Sequence, residues 1–250
     1  MKFIGIIPAR YASTRFPGKP LAMLGGMTVI ERVYRRARLE LDDVAVATDD
    51  ERIADAVRAF GGVAVMTSAE HRSGTDRVCE AYHRLGSDAD VVINIQGDEP
   101  FIAQEQIAAL KKCFDREGTE IATLVRPFDP ARGFDALFNA NSPKVVMDNN
   151  GDALMFSRSI IPYVRNYPWN EWLDHQQFYT HVGIYAYRVD ILDKITKLPQ
   201  SSLEIAESLE QLRWLQNGYR IATAETTQPT IGIDTPEDLA NAEKYLSDHA

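Results

Sequence analysis

The sequence predicts an α/β fold with a doubly wound, mostly parallel, Rossmann-like sheet. Short apolar runs alternate with helical patterns through the first half of the 250-residue chain, and helix-start and helix-stop residues separate them. This βαβ repetition requires right-handed crossovers between parallel strands. With 45% hydrophobic and 25% charged residues, the composition is that of a globular protein.

Four strand–helix pairs account for the first half of the chain. Thr28 and Glu31 have the spacing of a capping box, and Gly61 and Gly86 are stop residues after later helices. In such a fold, the loop after an early strand is where phosphates bind. The apolar runs predict strands over residues 3–7, 44–48, 63–66 and 91–95, and the patterns between and after them predict helices over 28–40, 51–60, 75–85 and 104–114.

The regular alternation lapses between about residues 127 and 188, which we interpret as an inserted β-rich segment. Strands are predicted over residues 144–148 and 153–157, joined by a turn at Asn149-Asn150-Gly151 whose residues tolerate positive φ. A further strand is predicted over residues 181–188. We expect this insertion to carry a second layer of the site or an oligomer interface.

The last third returns to helical and strand patterns. Ser201 and Glu204 have capping-box spacing at the start of a helix predicted over residues 202–215. Strands are predicted over residues 220–224 and 230–233, and a closing helix begins at Thr235.

The composition argues against two classes of protein. A net charge of −9 and an isoelectric point near 5.1 argue against a general nucleic-acid surface, which needs a basic face. Pro8 and Arg10 cut the first apolar run too short for a signal peptide, and no later stretch is long enough to span a bilayer. Cys79 and Cys113 lack metal-ligand spacing and are expected to be buried free thiols. We therefore expect a cytoplasmic protein. Its acidic composition still allows a small anionic substrate.

The loop after the first strand concentrates positive charge. Arg10, Arg15 and Lys19 lie in this loop, and no acidic residue precedes Glu31. Neighbouring prolines and a glycine restrict the backbone around Lys19, which lowers the entropy lost when the cations bind a ligand. The loop lacks the spacing of a P-loop or a dinucleotide fold. The arrangement suits a triphosphate, with a solvated basic loop as the alternative.

Acidic residues follow two predicted strands. The strand over 91–95 leads through Gln96 to Asp98, and the strand over 230–233 leads to Asp234. Carboxylates at such positions can hold Mg²⁺, which shares its remaining ligands with water and phosphate oxygens. The alternatives are a turn at Asp98 and a helix cap at Asp234. Two such aspartates can meet at one metal although they are far apart in sequence.

Two further segments offer ligand-binding groups. Residues 71–77, with Gly74 before a helix, could lay backbone groups against a base or ribose, or could only cap the helix. Arg158 could pair bidentately with a carboxylate, and its companions could bind hydroxyls. These companions are His181, Tyr185, Glu207, Glu210 and Gln211, the last three on one predicted helical face. Taken singly, each of these residues could equally be a polar group with its hydrogen bonds satisfied inside the protein, or part of a solvated surface.

Six segments together resemble one family in order along the chain. They resemble the 3-deoxy-manno-octulosonate cytidylyltransferases, or CMP-Kdo synthetases, which have a sheet of the nucleotide-diphospho-sugar transferase type. CMP-sialic acid synthetases have a similar opening loop but a Gly-Ser-Lys type core where this chain has Ala-Ser-Thr-Arg at residues 12–15. The segments are Ile-Pro-Ala-Arg-Tyr-Ala-Ser-Thr-Arg-Phe-Pro-Gly-Lys-Pro-Leu (7–21), Arg-Ser-Gly-Thr-Asp-Arg (72–77), Asn-Ile-Gln-Gly-Asp-Glu-Pro (94–100), Phe-Ser-Arg (156–158), His-Val-Gly-Ile-Tyr (181–185) and Gly-Ile-Asp-Thr-Pro-Glu-Asp-Leu (232–239).

The resemblance implies an activity and an organisation. The implied reaction transfers CMP from CTP to the anomeric 2-hydroxyl of 3-deoxy-D-manno-octulosonate (Kdo), giving CMP-Kdo and pyrophosphate for lipopolysaccharide biosynthesis. It implies dependence on Mg²⁺, and a single nucleotidyltransferase domain over residues 1–250. The insertion over about 127–188 would contribute sugar-binding and homodimer contacts. Neither a nucleic acid nor a membrane is an expected partner.

The resemblance also implies roles for particular residues. The implied catalytic residues are Arg10, Lys19 and Asp98, and the metal ligands are Asp98 and Asp234. The implied nucleotide-binding residues are Pro8, Ala9, Arg10, Arg15, Lys19, Arg72, Ser73, Gly74, Thr75 and Gln96. The implied sugar-binding residues are Arg158, His181, Tyr185, Glu207, Glu210 and Gln211.

Two alternative functions remain at this point. The acceptor could be 8-amino-Kdo or another sugar acid such as sialic acid, because that choice depends on a few contacts in the sugar pocket. The chain could also be a nucleotide-binding regulatory module that has lost its chemistry. The presence of both Asp98 and Asp234 beside the cations argues against a regulatory module, since binding alone does not require a pair of metal ligands.

Overall fold

A computed structural model describes residues 1–248 and divides into two compact units. Unit 1 comprises Met1–Ala108, Ala186–Thr196 and the described residues from Gln228 onward. Unit 2 comprises Ala109–Tyr185 and Lys197–Thr227. The expectation of a single nucleotidyltransferase domain with an insertion over about 127–188 stays a prediction.

Strands and helices alternate regularly only in the first half of the chain. The strands are β1 (Phe3–Ala9), β2 (Met23–Leu24), β3 (Met27–Thr28), β4 (Asp43–Thr48), β5 (Ala64–Met66), β6 (Val91–Asn94), β7 (Ile121–Pro127), β8 (Lys144–Met147), β9 (Ala153–Ser157), β10 (Tyr179–Arg188) and β11 (Ile221–Glu225). The helices are α1 (Val29–Ala37), α2 (Glu51–Ala59), α3 (Gly74–Leu85), α4 (Gln104–Cys113), α5 (Phe134–Leu137), α6 (Trp172–His175), α7 (Val189–Ile195), α8 (Ser202–Glu207), α9 (Gln211–Gln216) and α10 (Pro236–Asp248).

Unit 1 is built on four parallel strands in the order β5-β4-β1-β6. The chain proceeds from β1 to β4 and β5 on one side and then returns to place β6 on the other side of β1. The direction of winding therefore reverses between β1 and β6, and ligands of α/β sheets bind outside the carboxyl ends of the strands at such a point. This arrangement confirms the predicted α/β class and its mostly parallel sheet.

The helices of unit 1 bury one face each, as their sequence periodicity requires. Along α1, the residues Val29, Ile30, Val33 and Ala37 are fully buried. This spacing places them on a single apolar stripe. Thr28 caps the helix by accepting a hydrogen bond from the Glu31 amide. The helix ends at Ala37, earlier than predicted, because the next turn is tightened by hydrogen bonds that span three residues.

The predicted strand over residues 230–233 is not a strand, which corrects the sequence analysis. Ile233 is nevertheless fully buried, in a cluster with Leu24, Val29 and Ala242. The Ile233 amide donates a hydrogen bond to the Asp98 carbonyl oxygen at 2.9 Å. This bond and the buried side chain of Ile233 hold the segment beside the residues that follow β6.

Unit 2 contains the predicted β-rich segment. Its strands β11 and β7 are parallel, whereas β8 pairs antiparallel with both β9 and β10. The turn between β8 and β9 has Gly151 at φ 79°, so the predicted hairpin is confirmed. A buried cluster of Phe128, Leu137, Trp172 and Phe178 packs beneath the loops of this segment.

The helix predicted over residues 202–215 is two helices, α8 and α9. Ser201 and Glu204 form the predicted capping box, with both of its hydrogen bonds present. Ser208 then adopts a left-handed conformation with φ 50°, and its carbonyl oxygen and that of Glu207 accept hydrogen bonds from the Arg158 guanidinium. A side chain distant in sequence thus satisfies helix-end carbonyls and stabilises the break.

The described helices include none that is both long and apolar enough to cross a lipid bilayer.

Candidate active site

The loop after β1 is folded by a glycine and an aromatic ring. Gly18 has φ 70°, and its amide donates to the Tyr11 carbonyl oxygen at 2.9 Å. A Cβ at Gly18 would lie 3.1 Å from the Tyr11 ring, so the positive φ and the close contact both require glycine. The Arg52 guanidinium covers that ring, 3.3 Å from its centroid. These contacts lead directly into a short 3-10 helix at Lys19–Leu21.

The segment after β6 approaches the end of β1 through a second glycine. A Cβ on Gly97 would lie 2.8 Å from the Pro8 carbonyl oxygen, closer than such atoms approach. Only glycine therefore allows the two strand ends to converge in this way. Asp98 follows at once, and its carbonyl oxygen accepts the hydrogen bond from Ile233 described above. Asp234 is the next residue after Ile233, so Asp98 and Asp234 are linked through neighbouring backbone.

A network of opposite charges joins the loop after β1 to these two carboxylates. Lys19 Nζ lies 2.6 Å from Asp98 Oδ2 and 3.1 Å from Asp234 Oδ1. Arg15 Nη2 lies 3.2 Å from Asp234 Oδ1. The Lys19 side chain is only 13% exposed, so its ion pairs are less screened than those of a surface lysine. The three segments that the sequence analysis singled out separately meet at this network.

The network lines a cavity of about 480 Å³ in unit 1. Of the residues implied to bind nucleotide or metal, those that line it are Pro8, Ala9, Arg10, Arg15, Lys19, Gly74, Gln96, Asp98 and Asp234. Arg72, Ser73 and Thr75 do not line it: Arg72 is exposed, Thr75 is buried, and the Ser73 hydroxyl accepts from the Asp76 amide at 3.1 Å as the cap of α3. The loop over 71–77 therefore combines a helix cap with a cavity wall.

Arg77 is a buried cavity residue whose role the sequence analysis left open, since the loop over 71–77 could contact a base or ribose or could only cap the helix. Its side chain is 1% exposed, and Nη1 lies 2.6 Å from Thr67 Oγ1 and 3.3 Å from Asp49 Oδ1. Its Nη2 has no hydrogen-bond partner among the described residues. Burial lowers the pKa of the guanidinium, and nearby Arg10 adds to the lowering while Asp49 opposes it. The signal in the sequence was its position on the buried face of α3.

The two carboxylates are suitably placed for a divalent cation. Asp98 and Asp234 approach the same ammonium group, that of Lys19, from separate segments. Their oxygens are the hard donors that Mg²⁺ takes, usually together with water and phosphate oxygens. A cation held there would take the place between the carboxylates that the Lys19 ammonium has in this structure.

In unit 2, the side chains of Arg158 and Glu207 each form a hydrogen bond with the backbone of the other residue. The Arg158 guanidinium donates to the carbonyl oxygens of Glu207 at 2.6 Å, Ala140 at 2.8 Å and Ser208 at 3.2 Å. The Glu207 carboxylate accepts from Ser157 Oγ at 2.6 Å and from the Arg158 amide at 2.9 Å. The bidentate pairing considered for Arg158 is therefore absent within the described chain, where its guanidinium binds carbonyl oxygens instead.

His181 is a neutral hydrogen-bonding group. Its Nε2 lies 3.0 Å from Thr123 Oγ1, and Thr123 Oγ1 also lies 2.8 Å from the Ile184 carbonyl oxygen. Because the threonine hydroxyl has one proton and the carbonyl can only accept, we assign that proton to Ile184 and the imidazole proton to Nε2. Nδ1 is then an acceptor. Burial lowers the pKa of His181 from 6.5 to about 3, so the ring is uncharged at neutral pH.

Glu207, Glu210 and Gln211 do not share the predicted helical face, because α8 ends at Glu207 and α9 begins at Gln211. Glu210 pairs with Arg213 at 2.9 Å, and Tyr185 packs edge-on against Trp214 at 5.1 Å between ring centroids. Gln211 is 4% exposed, and its Nε2 has no hydrogen-bond partner among the residues described. A buried amide donor in that state is a candidate ligand-binding group.

A buried lysine in this unit also escaped the sequence analysis. Lys144 is fully buried, and its Nζ donates to the carbonyl oxygens of Ser142 at 3.0 Å and Asn139 at 3.2 Å. Burial lowers the pKa of Lys144, while the nearby Glu207 carboxylate opposes that effect. The position of Lys144 at the start of β8 did not indicate from the sequence that its side chain is buried.

Comparison with known proteins agrees with this geometry. A sequence profile of a family described as cytidylyltransferase matches residues 4–221. A solved structure of CMP:2-keto-3-deoxy-manno-octonic acid synthetase complexed with CTP is 42% identical, has a TM-score of 0.91 and covers 100% of both chains. The chain therefore has the sequence and the fold of a cytidylyltransferase.

Curated relatives narrow the class further. The 3-deoxy-manno-octulosonate cytidylyltransferase of Phocaeicola vulgatus is 63% identical over 246 residues, covering 98% of each chain. The enzyme of the same name from Bacteroides thetaiotaomicron is 61% identical over 250 residues, covering 100% of each. The chain belongs to the 3-deoxy-manno-octulosonate cytidylyltransferase family, and the resemblance seen in its motifs is confirmed.

Proposed function

We propose that the protein transfers CMP from CTP to the anomeric 2-hydroxyl of Kdo, releasing pyrophosphate. The observation that carries the proposal is the cavity of unit 1, where Arg10, Arg15 and Lys19 lie beside Asp98 and Asp234. Cations and metal-binding carboxylates together are what a nucleoside triphosphate and its metal require. Sequence identity of 63% and 61% along nearly the full chain, with enzymes named for this reaction, supports Kdo as the sugar.

The nucleotide would bind at the cavity, at the carboxyl ends of β1 and β6. Arg10 and Lys19 would hold the triphosphate, with Arg15 as a third cation. Arg77, whose Nη2 has no partner among the described residues, extends the positive surface of the cavity. Pro8, Ala9, Gly74 and Gln96 form its walls, and Arg72, Ser73 and Thr75 would act from the start of α3.

The reaction forms a bond from the hydroxyl oxygen of Kdo to the α-phosphorus and breaks the bond from that phosphorus to the oxygen shared with the β-phosphate. The hydroxyl proton is lost, and pyrophosphate leaves with the electron pair. Arg10 and Lys19 would neutralise the charge that accumulates on the departing pyrophosphate. Positioning and electrostatics account for such transfers, and no covalent intermediate with the protein is needed.

We propose Asp98 and Asp234 as ligands of a catalytic Mg²⁺. When bound, Mg²⁺ lowers the pKa of a coordinated hydroxyl and stabilises charge on phosphate oxygens. Lys19 would exchange its contacts with the two carboxylates for contacts with phosphate. This exchange keeps the charges of the site compensated both with and without nucleotide.

For the sugar acid, we propose the six residues of unit 2 identified from the sequence. Gln211, with its buried and unpartnered Nε2, and His181, with Nδ1 assigned as an acceptor, are suited to bind hydroxyl or carboxylate groups. Arg158 and Glu207 would act mainly by fixing the backbone between α8 and α9, together with Glu210; Tyr185 would flank the sugar. A homodimer formed through residues 127–188 and a cytoplasmic location belong to the same proposal.

An acceptor panel tests this function. Pyrophosphate release would be measured with CTP and either Kdo, 8-amino-Kdo or sialic acid, across a Mg²⁺ titration. We expect Mg²⁺-dependent release that is fastest with Kdo. Faster release with another acceptor would assign the enzyme to that sugar, and CTP binding without release from any acceptor would indicate a regulatory module.

The substitution Asp98→Asn tests the carboxylate assignment. We expect turnover to fall at least about a hundredfold, because a neutral amide weakens both the metal site and the contact with Lys19. Asp115→Asn, at an exposed position of unit 2, is the matched control and should keep full activity. Thermal unfolding verifies that both variants are folded, and normal turnover in a folded Asp98→Asn variant would overturn the assignment.

A further inference from the structure

A second group of potential metal ligands lies in unit 1, apart from the residues that line the cavity. Cys79 and His83 are on α3, and Asp193 is on α7. The potential ligand atoms of these three residues all lie within 4.8 Å of one another. His83 Nε2 is 2.6 Å from Asp193 Oδ1, and Cys79 Sγ is 3.4 Å from the same oxygen. The proposed cytidylyl transfer uses none of these side chains.

The sequence analysis found no metal-ligand spacing around Cys79 because the third ligand comes from a distant helix. Cys79 and His83 are four residues apart, which places both on one face of α3. Asp193 completes the group from α7, 110 residues beyond His83. The Thr196 hydroxyl, at the end of α7, donates to the Leu192 carbonyl oxygen at 3.0 Å and lies 3.8 Å from Cys79 Sγ.

We propose that Cys79, His83 and Asp193 bind a Zn²⁺ ion. A thiolate, an imidazole and a carboxylate are all ligands that zinc accepts in a tetrahedral site. The sulfur and nitrogen donors favour zinc over Mg²⁺ or Ca²⁺, which take oxygen ligands. On binding, Sγ, Nε2 and Oδ1 each donate an electron pair, and the thiol proton passes to solvent. The side chain of His83 is 53% exposed, so a water molecule can complete the coordination.

One separation within the observed group already suits a tetrahedral site. Typical zinc distances, about 2.3 Å to sulfur and about 2.0 Å to nitrogen or oxygen, place neighbouring ligand atoms roughly 3.3–3.8 Å apart. The observed separation of 3.4 Å between Cys79 Sγ and Asp193 Oδ1 already lies in that range. The hydrogen bond between His83 and Asp193 would lengthen as the metal replaces it.

Zinc at this position would join α3 to α7 within unit 1. The same helix α3 begins at Gly74 and carries Arg77, both of which line the cavity. The ion would therefore stabilise a wall of the cavity without entering it. This inference does not depend on the proposed function, because the ligands lie outside the residues assigned to it.

Metal titration of the purified full-length protein, first treated with a chelator, tests the site. Co²⁺ serves as a spectroscopic probe, since a thiolate ligand produces a sulfur-to-cobalt charge-transfer band in the near ultraviolet. Zn²⁺ affinity is measured by competition with a chromophoric chelator. We expect one tightly bound ion, a charge-transfer band and a higher melting temperature with Zn²⁺.

Variants separate this site from other metal sites. Cys79→Ser should abolish the charge-transfer band, and His83→Gln and Asp193→Asn should weaken Zn²⁺ binding by more than about tenfold. Cys113→Ser is the matched control and should keep both the band and the affinity. Asp98→Asn should also keep them, because its carboxylate belongs to the nucleotide cavity.

Three outcomes would overturn the inference. They are no charge-transfer band in the unsubstituted protein, a band that survives in Cys79→Ser, and tight Zn²⁺ binding that Asp98→Asn abolishes. Cytidylyl transfer by Cys79→Ser should stay close to that of the unsubstituted protein. A failure of the zinc site is thus distinguishable from a failure of the proposed function.

Discussion

Lys19 is the residue through which the basic loop and the two aspartates are connected. Its ammonium contacts Asp98 and Asp234 while only 13% of the side chain is exposed. Two carboxylates this close would repel each other without an intervening cation. Lys19 therefore stabilises the site in the absence of nucleotide and competes with any metal for the same oxygens.

Replacement of Lys19 by glutamine should separate these two effects. We expect turnover to fall at least about a hundredfold, since a cation is lost from the site of phosphate transfer. Without nucleotide, Mg²⁺ should raise the melting temperature of Lys19→Gln more than that of the unsubstituted protein, because the ammonium no longer competes. Lys112→Gln, at an exposed position, should change neither property. An unchanged response of Lys19→Gln to Mg²⁺ would contradict the competition.

His181 should make the protein less stable in acid. Its pKa is about 3 in the folded chain and near 6.5 when unfolded, so between these values the unfolded chain binds a proton that the folded chain does not. Stability therefore falls as pH decreases from 6.5 toward 3. No charged group accounts for the shift, which burial alone causes, and rings of Phe156 and Tyr185 lie beside the imidazole.

Urea unfolding at pH 7 and pH 4.5 measures this effect. The free energy of unfolding should fall between pH 7 and pH 4.5 in the unsubstituted protein. In His181→Asn this fall should be smaller, by up to about 2 kcal/mol. His175→Asn, at an exposed position, should leave the pH dependence unaltered. Equal acid sensitivity in all three proteins would mean that His181 takes up its proton without unfolding.

Residue by residue, the sequence identified most side chains of the cavity but not their partners. Arg15, Lys19, Asp98 and Asp234 were recognised from charge and from position at predicted strand ends. The burial of Arg77 was not predicted, because a fully buried guanidinium is uncommon and depends on contacts with Asp49 and Thr67. Such a contact depends on the assembled fold rather than on local sequence.

At the scale of elements, the site depends on where strands end and how closely their ends approach. Gly97 allows the segment after β6 to pass the Pro8 carbonyl oxygen at a distance that excludes a side chain. The left-handed Gly18 turns the loop after β1 toward it. These two backbone positions place Lys19 and Asp98 in contact, so glycine contributes to the site without any side chain of its own.

Gly97→Ala should disturb this approach. The new Cβ would lie 2.8 Å from a backbone oxygen, so the strand ends must separate, at a cost of about 1–3 kcal/mol in the free energy of unfolding. CTP binding, measured by calorimetry, should weaken at the same time. Gly183→Ala is the control, because a Cβ there meets no heavy atom within 4 Å and should leave unfolding nearly unchanged. Unaltered CTP affinity in Gly97→Ala would show that the approach is not needed for binding.

Elements governed by local periodicity were predicted well, and those governed by distant contacts were not. The four strand–helix pairs of the first half exist, and their ends differ from expectation by only a few residues. The break between α8 and α9 was missed because Arg158, far away in sequence, satisfies the carbonyl groups at that point. Residues 230–233 were predicted as a strand but do not form one, although Ile233 is buried and its amide bonds to the Asp98 carbonyl oxygen.

At the scale of the whole molecule, the class of fold followed from the order of elements alone. The reversal of winding between β1 and β6 places the loops that follow these strands at adjacent strand ends, which is why motifs distant in sequence share one cavity. The division into two units did not follow from the sequence, since each unit combines segments from several parts of the chain.

The proposed homodimer can be tested through exposed apolar side chains of residues 127–188. Tyr163 is 67% exposed and Trp169 is 55% exposed, and both lie in that segment. Large exposed aromatic side chains of this kind are typical of interfaces. We expect light scattering after gel filtration to give a dimer for the unsubstituted protein and a monomer for the double variant Tyr163→Asp with Trp169→Asp. Leu39→Asp, at a position 61% exposed outside the segment, should remain a dimer. A monomeric unsubstituted protein, or a dimeric double variant, would contradict the proposal.

The wide separation of Lys19 and Asp234 along the chain has a consequence for biosynthesis. Asp234 lies 215 positions after Lys19, so the ribosome adds it long after the lysine. The nascent chain thus exposes its basic loop long before the second carboxylate exists to neutralise it. Until Asp234 has been added, Lys19 can pair only with Asp98, so the ion-pair network of both carboxylates is completed after translation of the intervening chain.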